Sequence, residues 1–275
     1  MLLGYNTNGF AFHRFDDVLE IIADLGYRCV AITVDHHVLN PYDSEWKQQV
    51  KRTRDRLAAT GLDSVIETGA RFLLNPRRKH HPTLLDPTAD GRERRFSFLS
   101  RCVDIAEGLE SSAVSFWSGT LPAGQRADAA LELLADSCRR LADYAADRGV
   151  TLAFEPEPGM LVDRLAGYRD LAAAVDRPNF RLTIDIGHLQ CNENRAPDSL
   201  IRLYADELAN VHLDDMRRGV HDHLFFGEGE VDLAAIFGAF REIGYTGPAC
   251  VELSRHSHNA VVVATEARHI LEEYL

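Results

Sequence analysis

The sequence predicts an α/β protein of the (β/α)8 TIM-barrel type, built as a single domain over residues 1–275. Three observations carry this. Short apolar runs alternate with amphipathic helical stretches along the whole chain; eight such runs occur; several helical stretches end at a glycine directly before the next run. Eight units in 275 residues average about 34 residues each, close to the spacing of a (β/α)8 barrel. An open doubly wound sheet is the alternative. That fold usually carries a Gly-rich phosphate loop after its first strand, and here the chain reads NTNGFAF, not G-x-G-x-x-G.

In chain order, strands are expected near Leu2–Asn6, Arg28–Val34, Leu62–Glu67, Ser112–Trp117, Thr151–Glu155, Arg181–Asp185, Ala209–Leu213 and Ala249–Leu253. Amphipathic patterns between them predict helices over Phe15–Leu25, Glu45–Thr60, Arg94–Gly108, Ala127–Arg148 and Leu233–Ile243. Gly26, Gly61, Gly149 and Gly244 each close such a pattern, where a left-handed residue ends a helix. Two stretches break the rhythm: the basic connection Asn75–Arg95 and the segment Met216–Asp232. Both follow strands, which places them at the C-terminal face where barrels build their active sites.

Side chains alternate along a strand, so each strand splits into two parities. In TLAFEP, RLTID, NVHLD and ACVEL the bulky apolar parity is expected to pack on the helices. The other parity then delivers Glu155, Asp185, His212 and Glu252 to the inside, at the ends of the fifth to eighth strands. Like charges this close need compensation, and a divalent cation supplies it. The mixed oxygen and nitrogen set suits Mn²⁺, Mg²⁺, Co²⁺, Fe²⁺ or Zn²⁺.

With 30 Lys+Arg against 42 Asp+Glu, the formal net charge is −12, which argues against a nucleic-acid partner. No apolar run is long enough for a membrane helix, and the start MLLGYNTNGFAFHRFDD lacks a basic n-region. The five cysteines are scattered and form no CxxC pair, so they read as reduced thiols of a cytoplasmic protein. The expected partner is a small molecule, anionic or polyhydroxylated; homo-oligomerisation stays open.

FEPEPG with Glu155, TIDIGH with Asp185 and His188, NVHLDD with His212, GEGEVD at Gly227–Asp232 and VEL with Glu252 stand in the order of a known family. The chain resembles the xylose isomerase-like TIM-barrel superfamily, which includes sugar-phosphate isomerases and epimerases, ketose 3-epimerases and endonuclease IV. The resemblance covers essentially the full length and is densest in the second half. It implies that Glu155, Asp185, His212 and Glu252 ligate a divalent metal, that Glu155 and Glu252 also shuttle protons, and that His188 contacts substrate. Arg218 falls where ketose epimerases place a substrate-binding arginine, with Arg217 adjacent to it.

One motif points to the nuclease branch. His221 and His223 form an H-x-H four residues before GEG, where endonuclease IV has ligands to an additional zinc. With His188 they would make a second three-ligand metal site. The remaining nuclease zinc site is missing, because FHPG is replaced by FWSG with Trp117. Glu67, Arg71, His13 and Trp117 complete the candidates as substrate-binding residues at the rim. The resemblance thus implies a metal-dependent isomerase or epimerase, or a related dehydratase, of a sugar, sugar phosphate or cyclitol. The alternative is a two-metal phosphoester hydrolase.

Overall fold

A computed structural model describes residues 1–275. Its strands are β1 (Leu2–Asn6), β2 (Cys29–Thr33), β3 (Asp63–Glu67), β4 (Val114–Phe116), β5 (Leu152–Phe154), β6 (Phe180–Asp185), β7 (Leu208–Leu213), β8 (Asp215–Arg217), β9 (Val220–Leu224) and β10 (Pro248–Val251). Eight of them, β1 to β7 and β10, form a closed parallel sheet in chain order, with β10 returning to β1. This is the (β/α)8 arrangement the sequence predicts, and every strand boundary falls within two residues of its expected place. The helices are α1 (Phe15–Asp24), α2 (Trp46–Thr60), α3 (Ala89–Leu109), α4 (Ala127–Ala146), α5 (Leu165–Val175), α6 (Ile186–Asn192), α7 (Pro197–Leu203), α8 (Leu233–Glu242) and α9 (Ala260–Glu272). Gly26, Gly61, Gly149 and Gly244 all have positive φ, as their expected place at helix ends demands. No helix is long and apolar enough to cross a membrane.

By compactness the chain divides into two units. The first comprises Met1–Ile32, Asp55–Val65 and Thr183–Leu275. Its apolar core includes the edge-on rings of Tyr5, Phe10 and Tyr27, and the Tyr27 hydroxyl donates to the Ala264 carbonyl on α9. β10 is paired with both β1 and β7. Gly4 lies level with Cys250 and Cys29, and a Cβ there would stand 2.5 Å from the Cys250 sulfur, so the inner layer has room only for small side chains.

The second unit comprises Thr33–Arg54 and Ile66–Leu182. Phe116, Phe154 and Phe180 meet on the outer face of β4, β5 and β6, and Tyr168 of α5 stacks on Phe154 and Phe180. That fixes the parity: Phe116 and Phe154 face the helices, so Ser115, Trp117, Ala153 and Glu155 face inward. Glu67 is level with Ser115 across the β3–β4 pair and shares its inward face.

Two details differ from the sequence reading. Helix α3 starts at Ala89, not Arg94, so Arg92, Arg94 and Arg95 belong to a helix and leave the basic connection. Thr88 caps this start by accepting from the Gly91 amide, and a Cβ on Gly91 would meet the Asp86 carboxylate at 2.3 Å. The segment after β7 also carries regular structure, the antiparallel hairpin β8–β9.

Candidate metal and substrate site

In the first unit three inner strand ends converge. Asp185 ends β6, His212 lies on β7 and Glu252 directly follows β10, and their ligand atoms lie within 4.8 Å of one another. Asp185 is also the N-cap of α6: its Oδ1 accepts from the His188 amide at 2.8 Å. Its Oδ2 is buried and has no hydrogen-bond partner. His212 Nδ1 lies 3.0 Å from Glu252 Oε2, while the Asn210 amide, 3.2 Å from Nε2, orients the other side of the ring. Glu252 Oε1 accepts from Asn8 Nδ2 at 2.8 Å. Burial alone would raise the Glu252 carboxyl, but His212, assisted by His223 and Asn8, holds it well below the usual carboxylate range.

A second cluster stands beside the first. His188 on α6 and His221 and His223 on β9 also bring ligand nitrogens within 4.8 Å of one another, with His188 Nε2 and His221 Nε2 3.1 Å apart. The hairpin is what achieves this, since alternate residues of β9 share a face. Burial lowers His188 to about 4 and lowers His221 as well, keeping both imidazoles neutral at pH 7. His223 goes the other way. Although burial works against its charge, the Asp214 carboxylate bonded to Nδ1 at 2.6 Å lifts it to about 10. Gly187 lets this corner close, because a Cβ there would lie 2.2 Å from Asp214 Oδ1.

The hairpin's base is tied down by Asp215, a buried residue whose carboxylate accepts from the amides of Gly227, Gly229 and Val231, each at 2.9 Å. Arg217 and Arg218 lie on and just after β8. Their guanidinium groups bond the carbonyls of Glu228 and Glu193, and both residues are exposed. His13 follows the short turn after β1, with its ring edge-on to Phe10.

In the second unit, Glu155 directly follows β5 and is buried, as is Glu67 at the end of β3. Trp117 follows β4 and is 8% exposed. Ala70 and Arg71 follow β3 in consecutive left-handed conformations, and Arg71 lies 3.7 Å from the buried Asp35 carboxylate. The basic connection exposes Arg77, Arg78 and Lys79.

Four polar residues that shape these clusters have no role in the sequence reading: Asn8, Asn210, Asp214 and Asp215. Asn210 and Asp214 share the inner parity of His212, and that shared parity was the available signal. Asn8 carries no such pattern.

Residues 19–273 match the protein family described as xylose isomerase-like TIM barrel. The chain is 25% identical over 254 residues to L-ribulose-5-phosphate 3-epimerase UlaE of Salmonella paratyphi C, covering 91% of this chain and 86% of that protein. It is 36% identical over 118 residues to L-ribulose 3-epimerase of Methylomonas sp., covering 42% of this chain and 39% of that protein. Among solved structures, D-allulose 3-epimerase from Methylomonas sp. in complex with D-allulose superposes with a TM-score of 0.79 at 20% identity, covering 100% of this chain and 97% of that one.

Proposed function

The chain belongs to the xylose isomerase-like TIM-barrel family, and on that premise we propose that it is a metal-dependent epimerase or isomerase of a sugar or sugar phosphate, acting by transfer of a carbon-bound proton. The observation that carries this reading is the convergence of Asp185, His212 and Glu252 at three inner strand ends. The sugar 3-epimerases among its relatives support the same reaction class.

Glu155 joins these three as the fourth ligand; its burial and inward parity after β5 support that role. The residues fit a cation: Asp185 keeps one buried carboxylate oxygen without a hydrogen-bond partner, in a set of oxygens and one imidazole nitrogen. A divalent cation held there (Mn²⁺, Mg²⁺, Co²⁺, Fe²⁺ or Zn²⁺) supplies charge that polarises a substrate carbonyl and acidifies the neighbouring C–H.

The chain's own groups then move the proton. Glu252 stays ionised and is held at both oxygens by Asn8 and His212, so it accepts a proton from a fixed position. Glu155 is the group proposed to return a proton: return to the opposite face inverts the carbon, and return to the neighbouring carbon moves the carbonyl. Neutral His188 offers a hydrogen bond to a substrate hydroxyl. Trp117 supplies an apolar wall, Glu67, Arg71 and His13 supply polar rim contacts, and Arg217 and Arg218 stand by the hairpin.

The His188, His221 and His223 cluster favours a second reading, hydrolysis of a phosphoester with a second metal ion. Turnover of L-ribulose, its 5-phosphate and inososes in D2O separates the two. The epimerase reading expects deuterium on the carbon next to the carbonyl and one ion per chain. Glu252→Gln should suppress the exchange at least about 100-fold, with metal content measured on the same sample. Turnover without carbon-bound deuterium would overturn the proton-transfer reading, and release of phosphate from L-ribulose 5-phosphate at two ions per chain would favour the hydrolase instead.

A further inference from the structure

Arg95 has no part in the reading above, yet it is the largest fully buried side chain of the molecule, 1% exposed. Its Nη2 donates to the Thr68 carbonyl at 2.8 Å. Its Nη1 is buried without a hydrogen-bond partner. Burial lowers its pKa only to about 10, so it remains a cation at neutral pH. Burying an arginine this way is costly where an apolar residue would fill the same space, so its contacts must explain it.

Those contacts are aromatic. The guanidinium carbon lies 4.7 Å from the Trp117 ring centroid and 5.3 Å from that of Phe98. An indole face is the best aromatic partner for a cation, and the attraction is strongest where water is excluded. Trp117 also contacts His80, the two rings nearly perpendicular at 5.6 Å between centroids. His80 is itself fixed, its amide donating to the Arg71 carbonyl at 2.6 Å and its ring bonding the Gly69 carbonyl. Thr68 links both sides of the arrangement. Its carbonyl accepts from Arg95, while its hydroxyl donates to the Ser115 carbonyl of β4 at 2.8 Å. Trp117 thus sits on the inward side of the end of β4 with a cation on its face, an imidazole perpendicular to it and the end of β3 tied to the same cation.

We propose that Arg95 is a positioning residue for substrate binding: through its stacking on Trp117 and its bond to Thr68, it holds the indole in one orientation as the wall against which the sugar packs. The inference rests on the reading of Trp117 as a substrate-facing residue, and its test separates the two.

The chain has two tryptophans, so in a Trp46→Phe background Trp117 is the sole emitter. There, Arg95→Met should shift Trp117 emission and raise its quenching by acrylamide at least about twofold, while Arg95→Lys recovers much of the native signal. Circular dichroism and metal content identify folded variants, and Arg95→Gln replaces the methionine variant if that one does not fold. With L-ribulose as probe, Arg95→Met should raise KM about tenfold and change kcat by less than about threefold. Adding Arg95→Met to Trp117→Phe should raise KM no further. A folded Arg95→Met with native Trp117 emission and quenching would overturn the proposal. So would equal rises in KM with tryptophan and with phenylalanine at position 117. If the unaltered chain turns over no sugar, the assigned reaction fails, and emission and quenching still decide whether Arg95 orients Trp117.

Discussion

Asp185 divides its two carboxylate oxygens between two tasks. Oδ1 caps α6 through the His188 amide, and Oδ2 is the buried, unpartnered oxygen proposed to bind the metal. The two tasks respond differently to substitution. Asparagine keeps an oxygen acceptor for the cap but loses the charge that a cation needs; alanine loses both. Asp185→Asn should therefore melt near the unaltered protein while its metal content, by elemental analysis after dialysis, falls at least about tenfold. Asp185→Ala should lose the metal and, in addition, about 1 kcal/mol of stability from the missing cap. Stoichiometric metal retained by Asp185→Asn would remove this aspartate from the ligand set.

At the scale of elements, the legible parts of the chain are those where one periodicity dominates. The eight barrel strands were readable because each is a short apolar run bounded by turn residues, and the parity within TIDIGH and NVHLDD carries Asp185 and His212 to one face. The start of α3 was not, because Gly91 and a run of charged residues mask a helix whose cap is Thr88. The hairpin β8–β9 was missed for another reason. Its strands have 3 and 5 residues, and only the positive φ of Gly219 marks the turn between them. Yet that hairpin decides where His221 and His223 go, so the second histidine cluster was visible only as an H-x-H. Asp215 anchors the loop that follows, with three amides on one carboxylate. Asp215→Ala leaves those amides without their acceptor and should cost about 2–4 kcal/mol. Hydrogen exchange should speed up across residues 225–232 while the strands of the parallel sheet keep their protection. Uniform loss of protection throughout would make Asp215 a support of the whole fold instead.

At the scale of the whole molecule, charge and pH act through particular groups. The net charge is −12, but Arg77, Arg78 and Lys79 cluster on one exposed connection, and local potential governs how an anion docks. Arg77→Ala combined with Arg78→Ala should raise KM for L-ribulose 5-phosphate about 3–10-fold at low salt, less at high salt, and leave neutral L-ribulose unaffected. Equal effects on both sugars would reduce the connection to a solvated basic segment. Several shifted groups set the dependence of folding on pH: His188, His221 and Glu252 weaken the fold toward acid, and His223 and His80 act in opposite directions. His223 is raised to about 10, so its contribution is fully present below about 6.5 and is lost as pH rises toward 10. His80 is lowered to about 4, chiefly by burial and against its bond to the Gly69 carbonyl. The unfolded chain takes up that proton near 6.5 while the folded chain resists it, so the contribution of His80 falls as pH drops from 6.5 to 4 and then levels off. Because His80 is partly exposed, its share is on the order of 1–2 kcal/mol after screening. Urea unfolding of chelator-treated protein should give greatest stability near pH 6.5, declining to either side. His80→Gln should flatten the acid limb by roughly its share and leave the alkaline limb in place. An acid limb of the same depth in His80→Gln would show that other groups carry all of the proton uptake.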